Sequence, residues 1–252
     1  MASYGLAHVN IYPDQRTMAE TAADAAARLI RSAVAKAGIA RVIAATGNSQ
    51  VAFIEALVRQ PGVPWPRVEL FHMDEYAGMA ATHPASFRLW IKTRISERVP
   101  LARVHYIGGD LDDLGLEMER YSALLLARPV DVAFVGFGEN GHIAFNDPPV
   151  ADFNDPEVIK IVELDHACRL QQTGEGHFPT LQDVPLRALT LTCPTLFRAA
   201  AWVSCVPDFR KAKAVRDALE GQISTGCPAS IVRTHPNASV FLDSESASLL
   251  SK

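Results

Sequence analysis

The chain has 252 residues, 48% hydrophobic and 21% charged, with 16 prolines and 15 glycines spread along it. That suits one α/β domain or two small ones with a sizeable core, and it excludes low-complexity disorder. Lys plus Arg number 24 against 28 Asp plus Glu, and the net charge of −4 favours solubility and argues against a nucleic-acid surface.

Apolar residues recur at helical spacing from Arg16 to Ala37 (Met18, Ala22, Ala25, Leu29, Ala33), and Gly38 ends that helix. Arg41 to Ala45 reads as a buried strand, Gln50 to Arg59 as a helix and Pro61 to Pro66 as a loop. Then come the strand "RVELFHM", a helix from Ser86 to Arg98, the strand "RVHYI" and a helix from Leu116 to Ala127. "VDVAFVGFG" is apolar enough to be a central strand. "VIKIVEL", "RALTLT", "AAWVSCVP" and "ASVFLD" read as further strands, and Asp208 is placed to cap a helix from Phe209 to Leu219. Alternating strands and helices predict a single α/β domain over residues 1–252, with a Rossmann-like, mostly parallel sheet covered by helices on both faces. The long stretch from Ala151 to Pro185, with "TGEGHF" between proline-rich flanks, is expected to be a mobile cover.

Cys168, Cys193, Cys205 and Cys227 have no CxxC spacing and read as structural thiols of a reducing compartment. No basic start followed by an apolar run opens the chain, and no stretch is long and apolar enough for a bilayer. The expectation is a cytoplasmic protein without a membrane partner. The basic cluster Arg210, Lys211, Lys213, Arg216 reads by itself as a solvated helix face.

In doubly wound sheets, ligands bind beyond the carboxyl ends of the strands. Polar chemistry follows three of the predicted strands. Thr46-Gly47-Asn48-Ser49 offers backbone N–H groups and hydroxyls at a strand-to-helix turn, which suits a phosphate, although an ordinary capping turn looks the same. No Walker lysine follows its glycine, which disfavours an NTPase. Asp74 and Glu75 follow an apolar strand, and because adjacent residues point opposite ways, at most one of them faces a cleft. A positioned carboxylate can take a proton beside a carbonyl, but from this motif alone a solvent-facing turn acid is the ordinary reading.

The third strand end is "GFGENGHIAFNDP". Gly136, Gly138 and Gly141 match a dinucleotide fingerprint, with Glu163 or Asp165 about where a ribose-binding acid belongs. Pro148, Pro149 and Pro156 break the helix which that fingerprint should open, and the strand comes too late in the chain. The alternative is a loop presenting Asn140, His142 and Asp147, in which a histidine oriented by polar neighbours moves protons. Asn140 is expected to tune His142, because an amide can orient an imidazole but brings no charge to it. No cluster has convincing metal-ligand spacing, and no cofactor is expected. The residues point to metal-free acid–base chemistry on a small phosphorylated metabolite.

"ATGNS", "FHMDEYAGM", "HPASF" and "GFGENGHIAFNDP", in that order, resemble the glucosamine-6-phosphate deaminase/isomerase family, and the likeness continues through "RALTLT", "RKAKAV" and "RTHPNASVFLD". It covers about Arg41 to Asp243. The related 6-phosphogluconolactonases share the fold and a Gly-His loop but do not usually carry "MDEY" or "HIAFN". The resemblance implies conversion of an aldose 2-amino sugar phosphate to a ketose phosphate with release of ammonia. It implies that Asp74 moves a proton between C2 and C1, and that His142 assists ring opening, supported by Asp147. It also implies that Thr46, Gly47, Asn48, Ser49 and Lys211 hold the phosphate. The family commonly has Asp at the place of Asn140 and Glu at that of Asp147. Its phosphate-binding arginine has no counterpart in "RLQQTGEGHF", where Arg169 is near but not aligned, and its allosteric arginine is missing around Val158-Ile159-Lys160, where Lys160 remains. A phosphosugar lactonase and a non-catalytic sugar-phosphate sensor stay open as alternatives, and so does a homo-oligomer.

Overall fold

A computed structural model describes residues 2–174, 176 and 178–251, and of Ala2 the backbone only. The strands are β1 (Ala2–Tyr4), β2 (Ala7–Tyr12), β3 (Ala40–Ala44), β4 (Val68–His72), β5 (Asp74–Tyr76), β6 (Arg103–His105), β7 (Val132–Phe134), β8 (Ile159–Glu163), β9 (Arg187–Leu191), β10 (Trp202–Val206) and β11 (Ala238–Asp243). The α-helices are α1 (Gln15–Ala37), α2 (Val51–Val58), α3 (Phe87–Ile91), α4 (Leu114–Leu126), α5 (His166–Gly174), α6 (Cys193–Phe197) and α7 (Ala212–Glu220).

Eight strands form one sheet in the order β1-β2-β11-β10-β7-β3-β4-β6. All neighbours in it are parallel except β1 and β2. Alternation along each strand feeds two apolar layers. Val42 and Ala44 join the layer that contains Met18, Ile30 and Phe53 from α1 and α2, while Ile43 joins the one that contains Tyr121, Leu196 and Val215 from α4, α6 and α7. The expected cover of helices on both faces is present.

α1 starts where the Asp14 side chain accepts from the Thr17 N–H at 2.8 Å, and it stops where left-handed Gly38 donates to the Val34 carbonyl. Its buried face is rich in alanine (Ala19, Ala22, Ala23, Ala26, Ala27), which lets the helix lie close to the sheet. From β3 the chain builds outward through β4 to β6, then returns to β7 on the other side of β3 and continues to β10 and β11. The crevice between the ends of β3 and β7 is therefore the switch point where such folds bind ligands.

The structure departs from the sequence reading in several places. β8 and β9 are not part of the main sheet; with β5 they make a separate antiparallel sheet, in the order β5-β9-β8. It covers its own apolar cluster of Tyr76, Phe87, Phe145, Phe178 and Ala188. The stretch from 151 to 185 is built rather than loop-like, because β8 pairs with β9 and α5 buries Cys168 and Gln172. Glu175 and His177 of "TGEGHF" lie outside the described residues. The predicted helix from Ser86 to Arg98 is short α3 followed by a wider π-type turn over Lys92–Ser96.

Candidate active site

A cleft of about 550 Å³ of open space lies at the switch point. Its walls bring together Thr46, Gly47 and Ser49 after β3, Asp74 of β5, Gly136, Gly138 and His142 after β7, and Lys211 ahead of α7. Segments far apart in sequence thus meet at one place.

After β3, Gly47 takes φ +97, a left-handed value that a side chain would strain. A short 3-10 turn, Asn48–Gln50, follows. Buried Gln50 braces it, with Nε2 donating to Ser49 Oγ and to the Cys205 carbonyl at 3.1 Å. The turn carries Asn48 outward: it is exposed and not among the residues that line the cleft. Of the four residues that the sequence reading grouped in the phosphate turn, Thr46, Gly47 and Ser49 line the cleft.

Asp74 and Glu75 divide as their alternation requires. Asp74 lines the cleft, 7% exposed, and among the described residues its buried Oδ1 has no hydrogen-bond partner. Burial and then the neighbouring Glu75 charge push its carboxyl well above the ordinary range. Glu75 is fully buried on the other side and accepts from the Ser86 hydroxyl at 2.7 Å and from the Arg88 N–H at 2.9 Å. It thereby holds the first turn of α3.

No helix follows β7. The loop turns on itself, with the Gly138 N–H donating to the His142 carbonyl and Gly141 to that of Gly138. Asn146, fully buried, ties the loop to Ile143 and to Leu191 of β9 at 2.9 and 2.8 Å. A Cβ on Gly138 would sit 2.3–2.4 Å from the His142 ring, so only glycine lets the imidazole lie there. The glycine fingerprint therefore serves a histidine loop and not a dinucleotide turn.

His142 Nδ1 lies 2.9 Å from Oδ1 of Asp147, which is buried behind it and does not line the cleft. Among the described residues, Asn140 makes no hydrogen bond to the ring itself. Its amide donates to Asp147 Oδ1 at 2.8 Å, and its carbonyl accepts from the His142 backbone N–H at 3.0 Å. Burial pushes Asp147 up, but the His142 ring, the Asn140 amide and the Cys168 thiol outweigh it and hold the carboxyl below its ordinary value. The ligating atoms of His142, Asp147 and Cys168 all lie within 4.8 Å of one another, a set of donor types that sequence spacing did not reveal. Burial pushes the Cys168 thiol far up, and the thiol serves Asp147.

Lys211 turns inward, 5% exposed, while its neighbours stay on the surface: Arg210 pairs with Asp208, and Lys213 and Arg216 with Asp217. Asp208 caps this turn from φ +83, and its own N–H is received by buried Asp243. Gln171 and Gln172 of α5, with Met73, Phe87 and Phe145, complete the walls. Sequence reasoning missed them, because it saw "RLQQ" as part of a cover and not as a helix with amides on its inner face.

The description "glucosamine-6-phosphate isomerases/6-phosphogluconolactonase" covers a family whose pattern matches residues 13–241. The chain belongs to this family. It is an enzyme of the glucosamine-6-phosphate deaminase kind, and sugar-phosphate binding goes with the family. A glucosamine-6-phosphate deaminase of Bacillus cereus is 33% identical over 233 residues, 92% of this chain and 87% of that protein. The corresponding protein of Bacillus cytotoxicus is 30% identical over the same length. A solved monomeric glucosamine-6-phosphate deaminase superposes with a TM-score of 0.87 at 29% identity, covering 96% of this chain and 99% of that one. A 6-phosphogluconolactonase from Thermotoga maritima, 18% identical with a TM-score of 0.76 over 94% and 99% of the two chains, shares the fold. Among the described residues, no helix is long and apolar enough to cross a membrane.

Proposed function

We propose that the protein converts glucosamine 6-phosphate, or a closely related hexosamine phosphate, to a ketose phosphate and ammonia by acid–base catalysis. The observation that carries this reading is the meeting in one cleft of a buried, unpartnered carboxyl, an imidazole backed by a carboxylate, and an anion end made of Lys211 with the turn at Thr46, Gly47 and Ser49.

The phosphate binds at that end, where cation, hydroxyls and backbone N–H groups converge. His142 gives a proton to the ring oxygen as the sugar opens and takes back the proton of the C1 hydroxyl as that oxygen becomes the carbonyl, with Asp147 behind the ring holding it in place. The carboxylate of Asp74 then takes the proton from C2. The C–H pair becomes the C1=C2 bond of an enolamine, while the C1 carbonyl oxygen takes the proton that the substrate's ammonium gives up in becoming the amino group. Returning the proton from Asp74 to C1 leaves an iminium at C2. Water adds there and ammonia leaves, giving the ketose. The desolvation that raises Asp74 also makes it a stronger base once deprotonated, and the substrate's ammonium favours that form.

The test is a panel of hexosamine and hexose 6-phosphates and 6-phosphogluconolactone, followed for ammonia, ketose and acid. Ammonia and ketose in equal amounts from a hexosamine phosphate are expected. Acid from the lactone with no ammonia from any amino sugar would replace this reading with a lactonase, and binding without turnover would replace it with a sensor.

A further inference from the structure

Gln172 is a polar group of the cleft to which the chemistry above gives no task. It is 6% exposed, lines the cleft and sits on the inner face of α5. The Tyr76 hydroxyl donates to its Oε1 at 2.8 Å. With the amide oxygen on the tyrosine, the NH₂ group and its two donors are left for the cleft. Among the described residues this nitrogen has no protein partner. Facing the open cleft, this nitrogen can donate to water or to a bound ligand.

Its position can be read along both chains. Gln172 is one helical turn, about 6 Å, beyond Cys168, whose thiol serves Asp147. Tyr76 is two residues beyond Asp74 on the same face of β5. Gln172 therefore stands one step along the cleft from the groups that move protons. Thr46, Gly47 and Ser49 after β3 and Lys211 before α7 line the same cleft.

We propose that Gln172 is a specificity-determining residue whose N–H groups donate to a sugar hydroxyl at C3 or C4, between the reacting carbons and the phosphate. This rests on the function proposed above and deepens it: the enzyme selects a sugar chain with an oxygen at that carbon. The Tyr76 hydroxyl is the positioning group that holds the amide for this contact.

The test is binding by calorimetry of the amino alcohol 6-phosphate made by reducing the C1 carbonyl of glucosamine 6-phosphate, which cannot react, and of its 3-deoxy and 4-deoxy analogues. Wild type is expected to bind the parent about 10- to 100-fold more tightly than one of the two deoxy analogues. In Gln172→Met the parent is expected to weaken to the level of that analogue, whose own affinity stays the same. If Gln172→Met does not fold, Tyr76→Phe/Gln172→Met, which removes both partners of the buried hydrogen bond, is read in the same way. Equal weakening of all three ligands, or no change in any, would overturn the proposal. Binding that follows the expected cycle while wild type releases no ammonia from glucosamine 6-phosphate would support Gln172 and reject the proposed deamination. No binding of any of the three by wild type would overturn both.

Discussion

Asp74 and Lys211 divide the proposed work of the cleft between proton transfer and anion binding, and each has its own measurable signature. Asp74→Asn keeps the shape and removes the base. Turnover is expected to fall on the order of 100- to 10,000-fold, as for loss of a general base, and near-normal kcat in a verified assay would reject the role. The same variant carries a stability signature. The Asp74 carboxyl is raised in the folded chain, so the folded state binds the proton more tightly than the unfolded one. Its favourable contribution is present below the ordinary value of 3.8 and is lost as pH rises through the folded value. Asp74→Asn should therefore raise Tm at neutral pH, with the gain shrinking as pH falls to about 4. A Tm difference that does not depend on pH would mean that the carboxyl is not raised. Lys211→Met is expected to act differently: KM for the phosphorylated substrate should rise by about 10-fold or more, because a charge-assisted contact is lost, while kcat changes less. An unchanged KM would put the phosphate elsewhere.

At the scale of elements, the cleft depends on how α3, β5 and the loop after β7 are anchored. Glu75 is the clearest case, since its carboxylate takes the hydroxyl of Ser86 and the N–H groups of Phe87 and Arg88 at the start of α3. Glu75→Ala leaves these donors in an apolar surround and should cost about 2–4 kcal/mol in chemical denaturation. A loss below about 0.5 kcal/mol would show that water or a shift of α3 replaces the carboxylate. That Asp74 and Glu75 face opposite ways was legible in the sequence, because alternation along an extended chain requires it. The histidine loop was legible too, since Pro148 and Pro149 forbid the helix of a dinucleotide site. The second sheet was not. β8 and β9 have the same apolar pattern as strands of the main sheet, and only pairing with the three-residue β5 tells them apart. The hairpin of β1 and β2 at the sheet edge was also missed, because "ASYGLAHVNIY" is short and weakly patterned. Asn140 was placed against the imidazole because they are close in sequence, whereas the loop's fold aims its amide at Asp147.

For the whole molecule, the arrangement of parts says where a ligand should act. The main sheet supplies the anion end and the histidine loop, while β5 and α5, which belong to or pack on the smaller sheet, supply Asp74, Gln171 and Gln172. A sugar phosphate in the cleft would touch both sides at once. α5 joins the small-sheet cluster through Cys168, and its outer face, with Leu170 48% exposed, meets solvent. Helices of this length draw their stability from tertiary contacts rather than from themselves, so α5 is expected to open more readily than the central strands β3, β7 and β10. Ligand contacts made by Gln171 and Gln172 would add to those few contacts. Hydrogen exchange of the backbone N–H groups of residues 168–174 should therefore slow when a sugar phosphate binds, while exchange in β3 and β7 changes far less. At a ligand concentration about 100-fold above Kd, the whole protein should gain about 2.7 kcal/mol of stability. For a chain of this size that amounts to about 5–10 °C in Tm. If Tm rises as expected but exchange in α5 is the same with and without ligand, the smaller sheet's side does not close on the substrate. The contact assigned to Gln172 would then fall, while the anion end formed by the main sheet would stand.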